Sequence, residues 1–155
     1  MATERKHSGE AEARDGLERI RLIINAIAAL IALVGLVDAT YLTVAHLAGD
    51  TSVCGPSQGC SVVLSSVYAS IAGIPTAAFG VLGYFSAFSA ATLAAFGYTR
   101  ARTFFIAIVA GMFVATLWFL YLQAFVLHAF CPFCLFSAAI TFCLAGLALA
   151  MPPRR

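Results

Sequence analysis

Four cysteines in two close pairs are the residues of this chain whose type and spacing point to chemistry. Cys131-Pro132-Phe133-Cys134 is a CxxC. Pro132 disfavours helical geometry at the residue before it and suits the first turn of a new helix, so the motif is expected at a helix N-terminus. There the unsatisfied N–H groups and the helix dipole favour thiolate, the form of cysteine that reacts. The second pair lies in Cys54-Gly55-Pro56-Ser57-Gln58-Gly59-Cys60, where two glycines and a proline suit a tight closed loop. Each pair alone has a plain reading, as small apolar residues in the first case and as a structural staple in the second. Together they have the layout of a disulfide relay, in which a thiolate attacks a disulfide sulfur through a mixed disulfide.

The elements that position these pairs belong in lipid. Of 155 residues, 62% are hydrophobic and 10% charged, far from the roughly half apolar and quarter charged of soluble domains. Four apolar stretches, Leu22 to Leu47, Pro75 to Phe96, Thr103 to Leu127 and Pro132 to Met151, each reach the roughly 20 residues a crossing helix needs. No alternation typical of a β-barrel is present, and backbone groups in lipid must be satisfied within the segment. The expected fold is therefore all-α, an integral membrane four-helix bundle, with residues 20–151 as the membrane catalytic domain. Residues 1–19, which carry five acidic side chains and no apolar centre, are expected as a solvated cytoplasmic tail, and 152–155 as a second one.

Charge sets the expected orientation. All nine Lys and Arg fall before the first stretch, between the second and third (Arg100, Arg102), or at the end (Arg154, Arg155). By the positive-inside rule both termini are cytoplasmic. The Ala48 to Ile74 segment and the His128 to Cys131 connection then face the outside, where disulfides persist. From Ser61 to Ile71 apolar residues recur at helical spacing over too short a length to cross, so an amphipathic half-helix is expected in this first outer loop, ended by Gly73 and Pro75.

The ordered set of the loop cysteines, Cys60-Ser61-Val62-Val63-Leu64-Ser65-Ser66 running into Gly73-Ile74-Pro75, then Phe79-Gly80 and the CxxC, resembles the vitamin K epoxide reductase family in its bacterial form. The resemblance covers about Gly35 to Ala145. It implies a quinone (menaquinone, ubiquinone or vitamin K type) held in the bundle, with Cys134 facing it, Cys131 exchanging with the loop pair, Cys60 passing electrons to Cys131, and Cys54 meeting an external thiol. Ser66 matches a family serine that organises the half-helix over the site, and Phe79 belongs to the shared second-helix motif. Thr76 and Ala138 stand where animal members carry asparagine and tyrosine near the quinone carbonyls, which favours plain quinone reduction over epoxide reduction. The resemblance also implies a bacterial plasma membrane location. Many bacterial relatives fuse a thioredoxin-like domain after the last helix; here the expected partner is a separate extracytoplasmic thioredoxin-fold protein. No nucleic-acid partner is expected.

Polar residues inside the stretches extend the candidate site. Asp38 lies roughly 13 Å from the outer end of the first helix, at 1.5 Å per residue, and intramembrane carboxylates are expensive and functional by default. Tyr41, one turn away on the same face, could complete a hydrogen-bonded proton route to the quinone; helix-to-helix packing is the plain alternative. Gln123 is read in the same two ways. His46 and His128 sit near the outer interface, and Cys143, roughly 13 Å below Cys134, is expected to pack. Trp118, Phe119, Phe130 and Phe133 are expected mainly as bundle packing. Two other classes stay open: thiol-based metal binding by the four outer cysteines, and a structural tetraspan whose disulfides only brace a loop.

Overall fold

The protein is described from a computed structural model covering residues 2–49 and 58–151, the side chains of residues 2–11, 13, 58 and 99 excepted. It is 87% helical. Helix α1 spans Ala2–Ala48, α3 Thr76–Ala95, α4 Thr99–Tyr121 and α5 Pro132–Ala150, and each contains a segment long and apolar enough to cross a membrane. The chain is thus a four-helix membrane protein, as its composition requires. The exposed faces of these helices carry Leu30, Val37, Phe85 and Leu149, the surface that lipid covers.

Small residues decide which helices meet. Ala28, Ala32 and Ala39 on α1 and Ala87 and Ala91 on α3 are all buried, and Gly80 faces the Ala39 methyl. Such residues let two backbones approach closely, which is how helices associate where lipid is as apolar as the side chains. The helices adjoin in the ring α1–α3–α4–α5, leaving α3 and α5 on a diagonal. Phe105, Val109 and Leu144 fill the core between them.

At the N-terminus the structure adds what was not expected. The acidic and basic residues of the supposed tail continue α1 without a break, consistent with the strong helix propensity of Ala, Glu, Arg and Lys. Their described side chains are exposed, and Asp15 and Arg19 form an exposed i,i+4 pair at 3.6 Å.

The half-helix is shorter than its periodicity suggests. Helix α2 spans Gln58–Ser65, followed by a 3-10 turn at Val67–Ala69 and two short antiparallel strands, β1 (Ser70–Ile71) and β2 (Ile74–Pro75). The cause is local. The Ser65 hydroxyl donates to Ser61 O at 2.8 Å and the Ser66 hydroxyl to Val63 O at 2.7 Å, offering the backbone an alternative to further helix. Ala72 and Gly73 both have positive φ, 52° and 82°, the sign pattern of a type I′ hairpin turn. Pro75 caps α3 from outside rather than entering its first turn.

Candidate functional site

Helix α4 does not stop cleanly. Its last turn, Leu122–Val126, widens into a π turn, closed by Leu127 N–H donating to Leu122 O at 2.8 Å. Such turns recur at functional sites because they shift the register of the residues beyond them. Here the shift turns Gln123 inward, where it is buried. Its backbone carbonyl accepts from Ala129 N–H at 3.1 Å, and its side-chain Oε1 accepts from Cys131 N–H at 2.9 Å. One residue thus fixes both ends of the sharp connection, including His128 at φ 49°, a left-handed conformation that histidine enters more readily than most residues.

Cys131 is the N-cap of α5, with Pro132 at the first helical position, as the sequence leads one to expect. The thiol is lowered to about 7. The hydrogen bond from the Cys134 thiol is the main cause; burial opposes it, and the Cys134 and Phe133 N–H groups add to it. Cys131 and Cys60 have no exposed surface and share one cluster with Val63, Leu64, Phe133 and Cys134. Gly59 makes this possible, because a Cβ there would collide with the carbonyl oxygen of Phe130. Cys60 is disulfide-bonded, whereas Cys131, Cys134 and Cys143 are free thiols. Cys54 lies outside the described residues.

Beneath this cluster the bundle holds a cavity of about 240 Å³. Six of the residues expected at a quinone line it: Asp38, Ser66, Thr76, Phe79, Gln123 and Cys134. The sequence placed them on five separate segments, and the fold brings them together. Ser66 and Thr76 face it with their hydroxyls already engaged, Ser66 as above and Thr76 donating to Tyr68 O at 2.8 Å. Both bonds shape the rim formed by the 3-10 turn. Phe79 stays half-exposed there.

Tyr41 is not in the lining. Its ring packs on Phe133 with centroids 5.9 Å apart, and no hydrogen bond joins it to Asp38, whose buried Oδ2 has no partner. The expected Asp38–Tyr41 polar pair is therefore not formed. His46 lines the cavity, while His128 is exposed. Cys143 also faces outward instead of packing, as do Trp118 and Phe130, and Phe119 alone of the four aromatics joins the wall.

Deeper in the cavity are residues that sequence reasoning missed. The Tyr84 hydroxyl, from α3, lies 2.9 Å from Ser137 O, 2.8 Å from Ser137 Oγ and 3.1 Å from Thr141 Oγ1, all on α5. Nothing in a uniformly apolar helix marks which face a lone tyrosine takes.

Apolar walls with a few convergent polar groups are what a small aromatic ligand needs, and the orphaned Asp38 oxygen wants a partner that the protein does not provide. The residues fit a quinone ring. Asp38, Gln123 and Cys134 would meet it, and Phe79 would flank it. Among the described residues no group of three or more His, Cys, Asp or Glu side chains could hold a metal ion.

The family model described as "Vitamin K epoxide reductase family" matches residues 26–149, from the first helix to the last. The chain belongs to the vitamin K epoxide reductase family. Membership in it makes this membrane protein an oxidoreductase, and vitamin K epoxide reductase family members are generally quinone-linked. All of the described site, from Asp38 to Thr141, falls inside the matched span.

Proposed function

We propose that the protein is a thiol–quinone oxidoreductase that reoxidises a thioredoxin-fold dithiol partner on the outer side of a bacterial plasma membrane, its termini lying in the cytoplasm. The observation that carries this reading is the burial of Cys60 against Cys131 at the head of a CxxC whose second cysteine opens onto an apolar cavity.

Cys54 and Cys60 form the outer pair in this scheme, and Cys131 and Cys134 the inner one. The partner's two thiols reduce the Cys54–Cys60 disulfide and become a disulfide themselves. Cys60 thiolate then attacks Cys131 Sγ; the Cys131–Cys134 bond breaks, and Cys134 leaves as thiolate. Cys54 next attacks Cys60, which remakes the outer disulfide and releases Cys131. As the inner disulfide reforms, two electrons and two protons leave the pair, and a quinone held in the cavity would supply the acceptor for both. The side chains around the cavity orient the ring and exclude water. Asp38, with no partner for its buried oxygen, is a side chain of the cavity that can pass a proton to the ring.

Reduction of menadione by the purified protein, driven by a reduced thioredoxin-fold protein, tests the scheme. Turnover in the wild type and its loss in both Cys134→Ser and Cys54→Ser are expected. A wild-type protein that reduces no quinone while both pairs stay oxidised would leave a braced tetraspan as the better account.

A further inference from the structure

We infer that Tyr84, supported by Ser137 and Thr141, is the hydrogen-bonding floor that holds a quinone carbonyl one helical turn below Cys134. The inference rests on the quinone reading above and names a binding residue for that same site.

Geometry isolates Tyr84 from the other polar residues of the bundle. Helices α3 and α5 lie on a diagonal, so a side chain from one that bonds the other must cross the bundle axis. Tyr84 does so, with 1% of its surface exposed. It can, because Gly35 on α1 leaves the space: a Cβ there would strike the Tyr84 ring. Tyr84, Ser137 and Thr141 all line the cavity, and so does Ala138, whose short side chain leaves the space beside them open. Ser137 follows Cys134 by three residues, which puts it one turn deeper on the same side of α5.

The hydrogen bonds of the cluster leave a donor to spare. Ser137 O is offered two, the Tyr84 hydroxyl at 2.9 Å and the Thr141 hydroxyl at 3.1 Å, and one suffices for a carbonyl already inside a helix. Thr141 can keep that bond while Tyr84 accepts from Ser137 Oγ at 2.8 Å. The phenolic O–H is then released toward the cavity with no group orphaned. The rim hydroxyls lack this freedom, since Ser66 and Thr76 each donate to a backbone carbonyl. A carbonyl ligand that finds the rim hydroxyls engaged finds a free one at the floor, and a phenol is the strongest hydroxyl donor among the side chains.

Tyr84→Phe keeps the ring and removes the hydroxyl. Equilibrium binding of radiolabelled menadione would be measured on the full chain carrying Cys134→Ser, which cannot turn over, with and without Tyr84→Phe. The dissociation constant is expected to rise about tenfold, the worth of roughly one hydrogen bond, and the KM for menadione in the Cys134 protein to rise with it. Single-turnover electron transfer from the partner dithiol to the protein, without quinone, should keep its rate. Thr141→Val, which loosens the orientation of the phenol, should weaken binding by a smaller factor and serves if Tyr84→Phe does not fold. Unchanged menadione affinity together with a lowered unfolding temperature would overturn the inference and make the cluster helix-to-helix glue. Equal slowing of the partner half-reaction would overturn it too, by placing the damage at the cysteines. If the wild type binds menadione without reducing it, the proposed function fails, and the affinity comparison still decides the role of Tyr84.

Discussion

Cys131 and Cys60 are equally buried, yet different forces hold them. Cys131 is fixed by directional bonds: its N–H to Gln123 Oε1, its carbonyl to Leu135 N–H at 3.0 Å, and its place at the head of a long helix. Cys60, apart from its disulfide, sits on an eight-residue helix that is seated on the bundle by the close approach of Gly59 to Phe130 and by apolar contacts with Val63, Leu64 and Phe133. Hydrogen bonds define a position, whereas packing of this kind permits small shifts at little cost once the disulfide at Cys60 is open. A relay needs that asymmetry. One sulfur must stay in register with the cavity while the other moves between partners.

Crowding the packed side should produce the largest effect. Gly59→Val places atoms where the Phe130 carbonyl lies and must lift α2 from the connection between α4 and α5. A displacement of about 1 Å at a reacting centre can cost on the order of 100-fold, and a loss of that size is expected in turnover driven by the protein dithiol. Menadione affinity should change far less, because α2 gives the cavity only the apolar Val63 and Leu64, while its polar groups Asp38, Gln123 and Tyr84 lie on other elements. Wild-type turnover in Gly59→Val would show that the contact does not set the register of Cys60.

The bonded side is best probed through pH. Thiolate is the reacting form, and Cys131 is lowered to about 7 chiefly by the Cys134 thiol. Its alkylation rate in the reduced protein should therefore rise tenfold per pH unit up to about 7 and then level, where an ordinary thiol levels near roughly 8.5. Cys134→Ala removes the main donor, so the midpoint should move up. Gln123→Leu orphans the buried Cys131 N–H, at a cost of about 1–3 kcal/mol, and should lower the unfolding temperature as it loosens the cap. Midpoints that coincide in wild type and Cys134→Ala would contradict the assigned cause.

Legibility in the sequence follows the same division. The four spans, the helix start at Pro132 and the placing of Cys131 as its cap are dictated by composition and by proline geometry, both local. Asp38 and Gln123 could be singled out because polar groups are rare in lipid-facing sequence. What Gln123 bonds could not be read, since the π turn that aims it inward leaves no mark on a run of apolar residues. The half-helix ended early because serine hydroxyls turned back on the backbone, a choice that hydrophobic periodicity does not register. Tyr84 and Gly35 were invisible for a third reason. Their meaning arises only when three helices pack, and α3 is apolar on every side.

Tyr41 offers the smallest effect and the finest test of the comparison. From sequence it belongs with Asp38 on a proton route, a role on the cavity side; the structure puts it against Phe133, on the cysteine side, half-exposed and outside the lining. An aromatic pair adds about 0.5–1.5 kcal/mol when well packed, and a half-exposed one less. Tyr41→Leu keeps an apolar side chain against Phe133, so partner-driven turnover should fall by less than about threefold. The pH profile of menadione reduction should not move at all, because no hydrogen bond connects Tyr41 to Asp38 or to the cavity floor. Asp38→Asn alters the cavity carboxyl itself and should change that profile. If Tyr41→Leu instead slowed the quinone step tenfold and altered its pH dependence as Asp38→Asn does, the two residues would act together across a rearrangement, and the cysteine side and cavity side could no longer be treated as separately held.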